Sequence, residues 1–276
     1  PTSIYLANRG YKTVNIPLVL EQKIPDDLYK NKTACIVGLV ADPERLSDIR
    51  RNRVAIMKDQ NLKEYTDHPF LFMSRQSYTS SMTRSKLFEL SLNVKGSIVE
   101  CGVWKGNGIM QYLLLSSILE PYAFNRKIYG FDTFDGFTSI SEKDHEVDES
   151  MFANTSYDIL QSAIDLYDND RAVNHISKCK LIKGDAVKTI PSFVNKHPEL
   201  IISLLYLDFD LYEPTKIALE YLLPLVPKGG VVAFDEINYQ RWSGETVAMK
   251  EYLDINKIQL RKFSFDPNPA YFIMGD

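Results

Sequence analysis

The chain lacks any apolar run long enough to cross a bilayer. Its longest such stretch in 276 residues is residues 200–207, whereas a spanning helix needs about 20. It also lacks an excess of positive charge: 32 Lys and Arg stand against 36 Asp and Glu, a net charge of -4. A nucleic-acid-binding face, which needs clustered cations to displace counterions, is therefore not expected. Cysteine is scarce, and Cys35, Cys101 and Cys179 are odd in number and widely spaced. They offer neither a disulfide framework nor a zinc site, and reduced thiols in a cytoplasmic protein are the expectation. No charged-then-apolar leader stands at Pro1, and a first residue other than Met leads us to expect a processed or truncated start. Internal repeats and low-complexity tracts are missing too.

What is there is ordinary for a globular protein, with 45% hydrophobic and 25% charged residues. The length suits one large α/β domain or a domain with an appendage. From Gly96 onward, "GSIVEC", "KIYGF", "CKLIKG", "LLYLDFD" and "GGVVAFDE" alternate with helical stretches, followed by "IQLRKFSF" and "AYFIMG". Strands separated by crossovers of a dozen or more residues predict a parallel sheet with helices on both faces. The last two runs are joined by "DPNP", too short for a crossover, so they should pair antiparallel. Residues 1–66 read differently: a short helix stopped at Gly10, strands in "YKTVNIPLVL" and "TACIVGLVA", and a basic amphipathic helix in "DPERLSDIRRNRVAIM". The expected domains are thus a small α/β appendage over 1–66 and a larger domain over 67–276.

"IVECGVWKGNGIM" places Glu100, Gly102, Gly106 and Gly108 between a strand and a helix. Glycines there let a ligand approach the backbone, and the helix N-terminus favours an anionic group. The spacing is neither that of a dinucleotide turn nor that of a P-loop. A second strand ends in Asp132, where an acid can accept both hydroxyls of a ribose, and a third ends in Asp185. A cap or a turn explains any one of these acids equally well.

"YLDFDLYEP" puts Asp208 and Asp210 where an apolar strand runs out, and side-chain alternation sends both to one side if the strand persists. The next strand, "GGVVAFDEIN", ends in Asp235 and Glu236, and neighbouring parallel strands share one crevice at their carboxyl ends. Four carboxylates in a small volume raise one another's pKa unless a cation converts repulsion into coordination. Hard oxygen donors favour Mg²⁺, Mn²⁺ or Ca²⁺ over zinc. The alternative is that some of these acids cap helices or pair with Lys216 or Arg241.

Glu100, the glycine turn, Asp132 and Asp185, in this order, resemble the S-adenosylmethionine (SAM) site of class I methyltransferases, whose Rossmann-like sheet carries five parallel strands and a C-terminal hairpin, seven strands in all. "SIVECGVWKGNG", "GFDTFDGF", "LYLDFDLYEPTKIALEYLLPLVPKGGVVAFDE" and "RWSG" more closely resemble the macrocin O-methyltransferase family over about residues 80–276. The resemblance implies a SAM-dependent O-methyltransferase acting on a sugar hydroxyl of an activated or glycosyl substrate with a divalent metal, Mg²⁺ being expected. It implies a donor site of Met82, Glu100, Gly102, Gly106, Asp132, Asp185 and Asp208, with Glu100 and Gly102 at the methionine end, Asp132 on the ribose and Asp185 near the adenine. It assigns Asp208, Asp235 and Glu236 to the metal and Asp210 to proton abstraction; Glu236 stands where the family usually has Asp. Trp242 could stack on a sugar face or simply pack. His68, His145, His175 and His197 fall outside every motif. A catechol-type methyltransferase and a non-catalytic SAM-binding module are the competing readings, and a homo-oligomer is compatible with all three.

"TSIYLANRGYKTVNIPLVL" and "IVGLVADPERLSDIRRNRV" resemble a second family, the kinase and pyrophosphorylase that regulates pyruvate phosphate dikinase and phosphoenolpyruvate synthase, over about residues 1–66. That family's phosphate-binding loop falls before the position matching Pro1, so no kinase activity is expected. Arg50, Arg51 and Arg53 read as a solvated helix face, and the acidic stretch after Gly136 as either a lid or a surface loop.

Overall fold

The computed structural model describes residues 62–144, 147–153 and 155–276. The chain divides into two compact units, residues 1–74 and 75–276. Of the first, the described part is two short helices, α1 (Leu62–Asp67) and α2 (Pro69–Phe72), with the Tyr65 and Phe72 rings 4.7 Å apart. Pro69 opens α2, where its missing N–H costs nothing. The elements expected between residues 2 and 57, Cys35 and His145 lie outside the described residues.

The second unit begins with a long helix, α3 (Arg75–Ser91), and then alternates as the sequence predicts. In order come β1 (Ser97–Cys101), α4 (Asn107–Leu119), β2 (Ile128–Asp132), α5 (Tyr157–Asp170), β3 (Cys179–Lys183) and α6 (Ala186–Lys196). β4 (Ile202–Leu207), α7 (Tyr212–Tyr221), β5 (Val231–Phe234), α8 (Ser243–Tyr252), β6 (Arg261–Phe263) and β7 (Asp266–Ile273) follow. The seven strands form one sheet in the order β3-β2-β1-β4-β5-β7-β6. β1 to β5 are parallel, and β7 inserts antiparallel between β5 and β6.

The central strands β1, β4 and β5 are buried along their whole length, as parallel strands covered by helices on both faces must be. Alternation splits their side chains between two cores. Val99, Leu205 and Val232 pack with Ile190, Leu219 and Met249 from α6, α7 and α8. Ile98, Leu204 and Val231 pack with Leu87, Leu113 and Ile164 from α3, α4 and α5. Cys101 and Cys179 are free thiols within this packing.

Two local expectations are corrected. "DPNP" is not the turn of the C-terminal hairpin but the start of β7; the turn is the pair Ser264 and Phe265. The segment is strand because β7 pairs with β5 and β6 on either side, and the Asp266 carboxylate at its start accepts from the buried Thr83 hydroxyl of α3 at 2.6 Å. β4 ends at Leu207, so Asp208 and Asp210 are not strand neighbours on one face. Asp210 takes φ +61 instead, and this left-handed residue turns the chain into α7.

The strand order reverses between β1 and β4, which opens a crevice above the carboxyl ends of the sheet, the usual place for a ligand in such folds. α3 is held over this region by the Thr83–Asp266 bond and by Gln111 of α4, whose amide reaches Ser81 and Ser85. Thr83→Val, which leaves the Asp266 carboxylate buried without its donor, is expected to cost about 1.5–3 kcal/mol. Urea unfolding should show a lower midpoint with an unchanged slope.

Candidate active site

A cavity of about 370 Å³ sits in that crevice, within the range of small-molecule sites. One wall is the turn after β1. Gly102 takes φ +87 and passes so close to β4 that a Cβ would fall 1.8 Å from the Asp208 carbonyl oxygen. Gly108, in the first turn of α4, leaves room for a side chain from the strand below: a Cβ there would fall 1.8 Å from Glu100 Oε1. The turn is fixed by Asp132 at the end of β2. Its Oδ2 accepts from the Val103 and Trp104 amides at 2.7 Å each, and its Oδ1 from the Phe134 amide at 2.6 Å.

The other wall is the acid group at the ends of β4 and β5. Oxygens of Asp208, Asp210 and Glu236 all lie within 4.8 Å of one another. Asp235 lines the same cavity and is not one of that trio, although it repels both Asp208 and Glu236; its carboxylate takes the Tyr206 hydroxyl. A further acid, Glu245 of α8, is fully buried behind them. It accepts from the Glu236 amide at 2.9 Å through Oε2, and its Oε1 has no partner among the described residues.

Burial dominates the electrostatics. It pushes the Asp208 carboxyl well above the usual range, with Asp235 and Asp210 adding repulsion. It raises Asp210 to about 7, against a hydrogen bond from Glu236 that pulls the other way. Burial pushes Glu236 and Glu245 upward as well, with repulsion from Asp235 acting on both. Glu100, only 1% exposed, is raised to about 7 although Arg84 beside it favours the ionised form.

Arg84 is the cation of the site. It projects from α3 with a side chain 12% exposed. Its Nη2 lies 3.5 Å from Glu100 Oε1 and 3.4 Å from Asp208 Oδ2, its Nη1 donates to Ser80 at 2.6 Å, and the guanidinium stands 4.6 Å over the Tyr206 ring. Among the described residues neither Lys216 nor Arg241 makes an ion pair with these acids; they lie over the rings of Tyr212 and Trp242, and Arg241 favours the ionised Asp210 without touching it.

The remaining wall is aromatic and comes largely from the acidic loop after β2. Phe137 and Phe152 of that loop pack edge-on, 5.3 Å apart, and reach Trp242 at 6.1 Å each and, through Phe152, Trp104 at 5.7 Å. Asp144 anchors the loop on the Tyr212 amide at 2.8 Å, and Gly244 makes room for it, since a Cβ there would meet Asp144 Oδ1 at 2.1 Å.

Of the sequence-predicted residues, Glu100, Gly102, Asp132, Asp208, Asp210, Asp235, Glu236 and Trp242 line this single cavity. Three others stand outside the lining. Gly106, at φ +85, caps α4, and Met82 is half-buried on α3 between the lining residues Ser80 and Arg84. Asp185 caps α6 by accepting from the Val187 amide at 3.0 Å, while its neighbours Gly184 and Ala186 reach the cavity. Arg84 and Glu245 were missed. The cue for Arg84 was its position two residues after Met82 in a segment already under suspicion; for Glu245 nothing in its surroundings gave one.

The sheet order and the cavity at its switch point define a class I methyltransferase fold. Residues 86–273 match the macrocin-O-methyltransferase (TylF) family model, and the chain belongs to that family. It is similar to the calicheamicin methyltransferase CalS11, at 31% identity and a TM-score of 0.81 over 86% of this chain and 95% of that one. A second, apo structure of CalS11, described as a TDP-rhamnose 3'-O-methyltransferase, aligns at 30% identity with a TM-score of 0.75 over 86% and 97%. The O-methyltransferase NovP shares the fold at a TM-score of 0.53 and 21% identity, over 71% and 79%. Residues 1–93 match the kinase/pyrophosphorylase family model. A pyruvate, phosphate dikinase regulatory protein of Pelagibacter ubique is 60% identical over 68 residues, 24% of this chain. The chain spans about 25% of that relative's length. Among the described residues no helix is long and apolar enough to cross a membrane.

Glu100 and Asp210 give the site a pH signature. Unfolded, both release their protons near pH 4; folded, only near 7. The folded state therefore binds more protons between those values, and stability falls as pH rises from about 4 to 7. In chelator, the melting temperature should be lower at pH 8 than at pH 5; a flat profile would mean that the two acids are not held this way.

Proposed function

We propose that this chain transfers a methyl group from SAM to a sugar hydroxyl of an activated or glycosyl substrate, with a divalent cation, Mg²⁺ by preference, held among its carboxylates. The observation that carries the reading is that one cavity is walled on one side by the glycine turn, Glu100 and Asp132, and on the other by Asp208, Asp210, Asp235 and Glu236. The description of CalS11 as a TDP-rhamnose 3'-O-methyltransferase supports the choice of a sugar. We also take residues 1–66 to be a separate appendage and 67–276 to be the methyltransferase domain.

The residues fit a cation. Oxygens of Asp208, Asp210 and Glu236 lie within 4.8 Å of one another, and Glu236 Oε2 is buried with no hydrogen-bond partner among the described residues. All are hard donors of the kind Mg²⁺ takes. Asp208, Asp235 and Glu236 would hold the ion, which when bound would polarise the acceptor hydroxyl and lower its pKa.

The protein's own groups do the rest. Glu100 and Asp132 border the donor half of the cavity, and Asp132 keeps the turn in shape through its three amide bonds. Phe137, Phe152 and Trp242 offer ring faces to the acceptor and exclude water beside the acids. Asp210 takes the hydroxyl proton as the acceptor's own oxygen gains the methyl group; the S–CH3 bond breaks and its electrons stay on the donor's sulfur, which becomes a neutral thioether. Asp210 is suited to this because its affinity for a proton is raised to near neutrality.

A second reading has one observation behind it: the close trio contains Asp210 rather than Asp235, which would make Asp210 a ligand. Two variants separate the readings. As the base, Asp210→Asn should lower turnover on a panel of nucleotide sugars about 10²–10⁴-fold while Mg²⁺ affinity and SAM affinity stay near wild type, and Asp235→Asn should weaken Mg²⁺. Loss of Mg²⁺ binding in Asp210→Asn would transfer it to the ligand set. Turnover that survives EDTA would remove the cation from the reaction altogether.

A further inference from the structure

Arg84 is used by none of the roles above, yet it touches both halves of the cavity. Its two acidic neighbours belong to different jobs: Glu100, at the end of β1, borders the donor side, and Asp208, just beyond β4, belongs to the acid group. One guanidinium serves both, and serves both loosely. The separations of 3.4 and 3.5 Å exceed the 2.7–2.9 Å usual for a committed charge-assisted bond. Arg84 Nε, 3.5 Å from Glu100 Oε1, and Glu100 Oε2 are buried and make no hydrogen bond among the described residues. A buried cation and a buried anion, each with a polar atom that makes no hydrogen bond and both lining one cavity, are complementary to a zwitterion.

Resting on the donor and cation reading of this cavity, we propose that Arg84 is a shared internal counter-ion that couples the two sites. While the cavity holds no ligand, Arg84 divides its charge between Glu100 and Asp208. A divalent cation on Asp208 takes over the neutralisation of that carboxylate and repels the guanidinium. Arg84 is then free to commit its fork to the carboxylate of a zwitterionic amino-acid group, whose ammonium faces Glu100. The converse follows from linkage: an amino-acid carboxylate that draws Arg84 away leaves Asp208 open to the cation. Arg84 is in this sense a positioning residue and a competitor of the metal at once.

The sign of its effect is diagnostic. An arginine that merely braces the site would, when removed, weaken both ligands. A competing counter-ion would, when removed, weaken the donor and tighten the cation. The test uses the full chain and calorimetry with Mn²⁺ alone, S-adenosylhomocysteine alone, and each in the presence of the other. S-adenosylhomocysteine has an uncharged sulfur, which removes direct repulsion between a sulfonium and the metal. In the wild type, Mn²⁺ should tighten S-adenosylhomocysteine by about fivefold or more. In Arg84→Gln, Mn²⁺ alone should bind more tightly than in the wild type, S-adenosylhomocysteine more weakly, and the mutual enhancement should vanish.

Mn²⁺ binding that weakens in Arg84→Gln, or an enhancement that survives there, overturns the coupling and leaves the donor and cation reading standing. A wild type that binds neither ligand overturns both. If circular dichroism shows Arg84→Gln unfolded, Arg84→Lys carries the test. Its single ammonium keeps the charge but cannot fork between two carboxylates, so Mn²⁺ affinity should hold while the enhancement shrinks. Enhancement of wild-type size in Arg84→Lys overturns the proposal.

Discussion

The constraint on which the rest of this structure depends is the crowding of carboxyl groups at the ends of β1, β4 and β5. Glu100, Asp208, Asp210, Asp235, Glu236 and Glu245 occupy one desolvated corner, and Arg84 is the guanidinium placed among them. Burying so many acids is unfavourable unless they are protonated, hydrogen-bonded or paired, and each of the three solutions appears. Glu236 and Glu245 are driven towards the protonated form, Asp235 takes a tyrosine hydroxyl, and Glu100 and Asp208 share the arginine. The glycines at 102 and 108 leave room for the Asp208 backbone and the Glu100 side chain, and Asp210 itself takes a left-handed φ. Such unfavourable geometry persists where surrounding structure over-determines it, and here that structure is the fully buried centre of the sheet.

The cavity draws its walls from two kinds of scaffold. Glu100, Asp208 and Asp235 stand at or next to strand ends set by the sheet, which suits groups that must meet at fixed distances. Phe137 and Phe152 come from the connection after β2, anchored by Asp144 on α7. Variation among related enzymes in what they accept can be carried by such a connection without disturbing the acids.

Much of this was legible in the sequence. The parallel sheet, the glycine turn and the acids of β4 and β5 could be read because each is written in a few consecutive residues whose spacing has a physical meaning. The sequence was less informative where a residue's role depends on a distant partner. Arg84 and Glu245 sit on helices, where a charged residue is usually solvated, and only the fold turns them inward. "DPNP" carries every mark of a turn, yet it starts a strand that pairs with distant β5 and with β6, and it is held at Asp266 by the buried hydroxyl of Thr83. Asp210 and Asp208 were expected to meet by strand alternation and meet instead through a positive φ, which nothing about an aspartate announces. The readings for residues 2–57 lie outside the described residues.

The hydrogen bond between Thr83 and Asp266 links positions 183 residues apart. Fastening the helix that carries Arg84 therefore closes a long loop, whose entropy must be offset before the contact stabilises anything. No local segment can form this contact by itself, so the counter-ion of the acid group is set in place only when distant parts of the domain come together.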